Sequence, residues 1–102
     1  MPRARFSLVF SPIAKQDIKE IQLYTLENWG EKQCDKYEAI INDGLNKLAI
    51  FPEAGRKLSD TSQEHRAYKI GNHFAIYQIV GNEIRVSRIL HESMEFGQHY
   101  VM

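Results

Sequence analysis

The chain has 102 residues, 43% of them hydrophobic and 25% charged, enough for one folded domain around one core and too apolar and patterned for disorder. Lys+Arg and Asp+Glu both number 13, so the formal charge is zero, which argues against a protein that docks on RNA or DNA through many phosphates. The single cysteine, Cys34, excludes an internal disulfide and fits a reducing compartment. With no signal-like leader and no apolar run long enough to span a bilayer, a cytoplasmic protein is expected, with no membrane partner.

In chain order, Phe6, Leu8 and Phe10 alternate with Ser7 and Val9, which predicts a strand over 6–10. Ser11-Pro12 then marks a helix start: the serine oxygen can cap a free amide, and proline suits the first helical position. This helix is expected to run to about Asn28, burying Ala14, Ile18, Ile21 and Thr25, with Asp17 and Tyr24 at the flank of that face. Leu23 and Leu26 point away from it and suggest a partner surface. Gly30 ends the helix, and a second follows over about 31–51 with an apolar stripe of Cys34, Tyr37, Ile41, Leu45 and Leu48. So short a connection implies an antiparallel pair. On that stripe Cys34 reads as an inert core thiol.

Phe51-Pro52 stops the second helix, and 52–64 reads as loop, with Leu58 as an anchor. Three β-rich runs follow, HRAYKI, HFAIYQIV and EIRVSRILH, separated by Gly71-Asn72 and Gly81-Asn82, whose positive-φ tolerance predicts two tight hairpins. In the last run strict alternation places Ile84, Val86, Arg88 and Leu90 on one face, and Arg85, Ser87, Ile89 and His91 on the other. A guanidinium in an otherwise aliphatic face needs a buried partner, and Asp17 on the first helix is the candidate for a structural ion pair with Arg88. The predicted fold is a single α+β domain over 1–102, ordered β-α-α-β-β-β, in which an N-terminal antiparallel helix hairpin packs on a small, mainly antiparallel, curved sheet. About 97–102 is expected to be a C-terminal tail.

Taken together, these residues resemble the ParE branch of the RelE/ParE superfamily, the toxins of bacterial toxin–antitoxin pairs. The likeness spans about residues 5 to 95. It rests on Ala14, Asp17-Ile18, Ile21 and Tyr24 in the first helix, on the Asn28-Trp29-Gly30 break, and on Leu48 with Phe51-Pro52-Glu53-Ala54-Gly55-Arg56. Arg66, Gly71-Asn72-His73 and Tyr77 match the first hairpin, and Arg88-Ile89-Leu90-His91 with Met94 and Glu95 the last strand. One departure stands out: Ser62, Gln63, Glu64 and His65 occupy the place where relatives often carry Arg, Gly and Tyr. The resemblance implies a RelE/ParE-like fold, a cognate antitoxin partner in a hetero-oligomer, and DNA gyrase as the target, met on its A-type chains. RelE-type relatives instead cut mRNA on the ribosome.

Metal-free RNA cleavage needs a base, an acid and cations for the phosphorane charge. His91, Arg66 and Arg88 form the alternative catalytic set, with Glu92, Lys69 and Arg85 on or near the same sheet. The histidines lack the Cys or carboxylate spacing of a zinc site, and no Gly-rich phosphate loop is present, so neither metal nor cofactor is expected. The zero net charge favours binding to a protein target over direct contact with nucleic acid. The antitoxin surface is expected at Leu23, Tyr24 and Leu26 with the sheet edge, and target engagement at His91, Glu92, Met94 and Glu95.

Overall fold

A computed structural model describes residues 4–58 and 64–93. The expected tail and the candidate target residues Met94 and Glu95 lie outside the described residues, as do Ser62 and Gln63. Strand β1 (Ser7–Phe10) leads into helices α1 (Pro12–Trp29) and α2 (Glu31–Ile50). Strands β2 (Arg56–Lys57), β3 (Arg66–Ile70), β4 (His73–Val80) and β5 (Glu83–His91) complete a five-stranded sheet of order β1-β5-β4-β3-β2. The α+β architecture is as expected, with two additions. The stretch read as loop contains one 3₁₀ turn, Pro52–Ala54, and the two-residue strand β2, which pairs with β3. In addition, β1 runs parallel to β5, while the other neighbours are antiparallel.

Local chemistry accounts for the element ends. Ser11 Oγ accepts the Ala14 N–H at 2.9 Å, capping α1 above Pro12, and donates to the Ser87 carbonyl at 2.8 Å, so one hydroxyl fastens the helix start to β5. Gly30, at φ +85°, is the sole residue between the helices. Gly71 and Gly81 take φ near +60° in the two hairpins, and the asparagines beside them do not share that conformation. Only the first turn position therefore needs positive φ, the pattern of a type II′ turn.

The sheet is apolar on both faces. On the helix side, Ile70, Ala75, Tyr77, Ile84, Val86 and Ile89 pack with Ala14 of α1 and Ile41, Leu45 and Leu48 of α2. On the other side, Ala67, Ile76 and Leu90 pack with Leu58 and Phe74, which gives the expected anchor at Leu58 a buried place. The face assignment in β5 needs correction. Tyr77 stands opposite Val86 and Ile76 opposite Arg88, so Ser87 is an extra residue, a bulge, whose Oγ donates to the Ile76 carbonyl at 3.1 Å. Past Ser87 the alternation shifts by one. Ile89 joins Ile84 and Val86 beneath the helices, and Leu90 turns to the opposite cluster. Burying an isoleucine and a leucine is worth about 1.5–3 kcal/mol each, enough to select this register over strict alternation. Among the described residues, no helix is long and apolar enough to cross a membrane.

Candidate functional site

Strand β1 ends at Phe10, so the β1-side edge of β5 beyond Val86 must be covered by something other than a strand. The start of α1 supplies the cover. The Ser11 amide donates to the Val86 carbonyl at 3.0 Å, and further along α1 the Asp17 carboxylate reaches the same edge. Asp17 Oδ2 accepts the Ile89 N–H at 3.0 Å and Arg88 Nε at 2.8 Å, while Oδ1 accepts Arg88 Nη2 at 3.0 Å. The structure thus brings Asp17 and Arg88 together, with the backbone of Ile89 as a third member. Asp17 is buried and the Arg88 side chain is 21% exposed. Hydrogen bonding to Asp17 is the main cause that pushes the Arg88 guanidinium above its ordinary pKa, against the opposing effect of burial.

Beside this pair lies a groove of about 830 Å³, lined by residues of α1, α2 and the adjoining ends of β4 and β5. Tyr24 and Trp29 of α1 form one lip, with 64% and 69% of their surfaces exposed, and Tyr37 of α2, His73 of β4 and His91 of β5 form the end wall. Arg88, paired with Asp17, also lines the groove. The end wall is a connected polar chain. The Tyr37 hydroxyl oxygen accepts the Asn72 N–H at 2.8 Å and meets His73 Nδ1 at 2.5 Å. His73 and His91 are direct partners across β4 and β5, with their rings edge-to-face and centroids 5.3 Å apart. His91 Nδ1 accepts the Ser93 N–H at 3.2 Å and lies 2.8 Å from its hydroxyl. Loss of water lowers the His73 pKa to about 4, helped by the neighbouring His91, so this imidazole is neutral at ordinary pH.

The other predicted site residues are distributed differently. Of Leu23, Tyr24 and Leu26, all exposed, only Tyr24 lines the groove; the two leucines stand outside it on α1. His91 lines the groove, and the exposed Glu92 beside it bonds through its N–H to the Asn72 carbonyl. Arg66 is remote from both. It pairs with Tyr77, four residues along β4 from the partner of His91, roughly 13 Å at strand spacing. Its Nη1 donates to the carbonyls of Glu53 and Gly55. The set His91, Arg66 and Arg88 therefore does not converge. Among the described residues no group of three His, Cys, Asp or Glu is placed to hold a metal.

Cys34 is half-buried between the helices, its thiol 3.5 Å from the Gln22 carbonyl. Desolvation, then Glu38 and Asp35, push its pKa up, which keeps it protonated and a poor nucleophile. Sequence reasoning missed the groove roles of Trp29, Tyr37 and His73. Trp29 was visible only as part of a helix break, Tyr37 as a core stripe position, and His73 as a hairpin residue; their convergence depends on the helix tips lying over the β3–β4 turn.

Two helices on a mixed five-stranded sheet with this order define a RelE/ParE-type toxin fold. The toxin of a chromosomal ParDE toxin–antitoxin system from P. aeruginosa has the same fold, with TM-score 0.72 and 19% identity over 85% of this chain and 96% of that one. The RelBE2 toxin–antitoxin complex from Mycobacterium tuberculosis matches with TM-score 0.65 and 15% identity, over 86% of this chain and 99% of that one. The YoeB dimer from Staphylococcus aureus matches with TM-score 0.59 and 25% identity, over 86% and 98%. In sequence, Toxin ParE1 of Caulobacter vibrioides is 28% identical over 86 residues, 84% of this chain and 88% of the relative. The family model of the ParE toxin of type II toxin–antitoxin systems, parDE, matches residues 8–96, and the chain belongs to that family.

Proposed function

We propose that this chain is the toxic half of a type II toxin–antitoxin pair that acts in the cytoplasm by gripping a protein, the A-type chains of DNA gyrase, and is neutralised by a cognate antitoxin seated in the groove. The observation that carries the reading is the commitment of the two arginines of the alternative catalytic set to internal partners. Arg88 is tied to Asp17 and Arg66 to two backbone carbonyls, some distance from His91. A phosphodiester cutter needs those charges aimed at one phosphate. The groove offers instead two exposed aromatic rings and a polar end wall, the composition of a protein-binding surface. A partner is suggested by the relatives solved as ParDE and RelBE toxin–antitoxin systems.

The same geometry gives neutralisation a physical basis. Tyr24, proposed for the antitoxin, and His91, proposed for the target, line one groove, so an antitoxin lying in it covers the residue offered to gyrase. The test is expression of the chain without any antitoxin, with purified protein then added to a gyrase supercoiling reaction and to translating ribosomes. Blocked supercoiling with intact mRNA supports the reading. Cleaved mRNA, abolished by His91→Ala, replaces it with ribosome-dependent endonuclease activity of the RelE kind.

A further inference from the structure

The two helices do not close completely on each other. Between them, beside the end of β1, lies a second cavity of about 190 Å³. Phe10 of β1, Ile18 and Ile21 of α1, and Ile41 and Leu45 of α2 give it an apolar lining. Two further lining side chains, Thr25 and Cys34, are short and leave room that larger residues would fill. Their polar hydrogens are used inside the protein. The Thr25 hydroxyl donates to the Ile21 carbonyl at 2.8 Å, and the Cys34 thiol to the Gln22 carbonyl at 3.5 Å. The Tyr37 hydroxyl, on another lining residue, is engaged with Asn72 and His73. Gln22 donates to Glu38 across the helices at 2.8 Å, and the exposed Glu38 and Asn42 mark the side that meets solvent.

A water settles in a cavity when about two to four polar groups hold it, and an apolar cavity of about 150 Å³ stays dry and takes up benzene. Here Thr25, Cys34 and Tyr37 are already bonded to their own neighbours, and the remaining inner lining is hydrocarbon. We propose that the inter-helix cavity is a binding site for a small apolar molecule, a single aromatic ring or a hydrocarbon of that size. Removal of the guest's surface from water supplies the affinity. The same lining selects against polar rings, whose acceptors would lose their bonds to water and gain none. Ile21, Thr25 and Tyr37 line both this cavity and the groove, so a guest sits directly behind the groove wall. The site goes beyond the toxin reading and does not depend on it.

The experiment titrates the isotope-labelled full chain with toluene and follows its amide resonances, with pyrimidine as a polar ring of similar size. In parallel, the reaction of Cys34, the chain's single cysteine, with an aromatic disulfide reagent is timed with and without toluene. The expected result is a saturable shift confined to the stretches around Ile18 to Thr25 and Cys34 to Leu45, with no comparable response to pyrimidine. Labelling of Cys34 should slow about three- to tenfold at near-saturating toluene. Cys34→Leu, which fills the cavity, should lose the toluene response. If that variant fails to fold, the location of the shifts and the protection of Cys34 in the parent chain decide the matter. Shifts centred on Trp29, His73 and His91, an equal response to pyrimidine, unslowed labelling of Cys34, or a folded Cys34→Leu that still binds toluene overturns the proposal. Shifts at the cavity that follow protein concentration instead of toluene would assign it to a second copy of the chain and overturn it as well.

Discussion

Asp17 and Arg88 lie 71 residues apart in sequence and form a two-pronged ion pair, with the Asp17 carboxylate also holding the Ile89 amide of the same strand. The carboxylate thereby does for β5 what β1 is too short to do: it occupies the strand edge. Asp17→Ala strands a partly buried guanidinium and a buried N–H together and should cost about 2–4 kcal/mol in urea unfolding. Asp17→Leu combined with Arg88→Leu should cost less than the sum of the single changes, because no unpaired charge remains. Strict additivity would show that the two side chains contribute independently.

Tyr77 is fully buried, and its hydroxyl donates to the Pro52 carbonyl at 2.6 Å and accepts the Gly55 N–H at 3.0 Å. Tyr77→Phe leaves both backbone groups unsatisfied and should cost about 1–3 kcal/mol in thermal or urea unfolding. Gly55→Ala should destabilise by a similar amount, since a Cβ there would run into the Tyr77 ring and hydroxyl. Tyr77→Phe should relieve part of that clash, so the double variant should fall short of additivity.

His73 supplies a pH prediction. Its folded pKa, about 4, lies below the ordinary histidine value of 6.5, so between these values the unfolded chain binds a proton that the native state refuses. Its contribution is intact above pH 6.5 and is lost as pH falls toward 4. Allowing for solvent screening of a half-buried ring, the loss should be about 1–2 kcal/mol. Urea titrations from pH 7 to 4 should show a shallower decline for His73→Phe than for the parent; parallel declines would show that the ring takes up its proton normally.

The exposed lip makes a prediction that separates binding from folding. Tyr24→Ala and Trp29→Ala remove large, exposed rings and should change stability by no more than about 0.5 kcal/mol. In titration calorimetry against the cognate antitoxin each should weaken binding by about ten- to a hundredfold. Leu23→Ser, outside the groove, should change it far less.

Much of this molecule was legible before its structure. Ser11-Pro12, Gly30 and the two Gly-Asn pairs place the boundaries of two helices and the three C-terminal strands to within a residue or so, because caps and tight turns are satisfied by bonds between near neighbours. The stripe through Ile41, Leu45 and Leu48 reads directly as the buried face of α2, since helical period and burial coincide there. The short strand β2 escaped detection because two residues carry no period, and only pairing with β3 defines them.

The chain alone therefore determined the order of the two helices and four longer strands, the α+β class and the need for a partner to Arg88, all of which follow from local bonding, periodicity and the cost of burying charge. Tertiary structure decided the rest: the parallel placement of β1 on β5, the bulge at Ser87, and the meeting of Tyr37, His73 and His91 at the end of a groove. Strand register over long separations is chosen by which side chains can be buried together. Ile89 beneath the helices and Leu90 on the far face outweigh the alternation that the strand would otherwise keep.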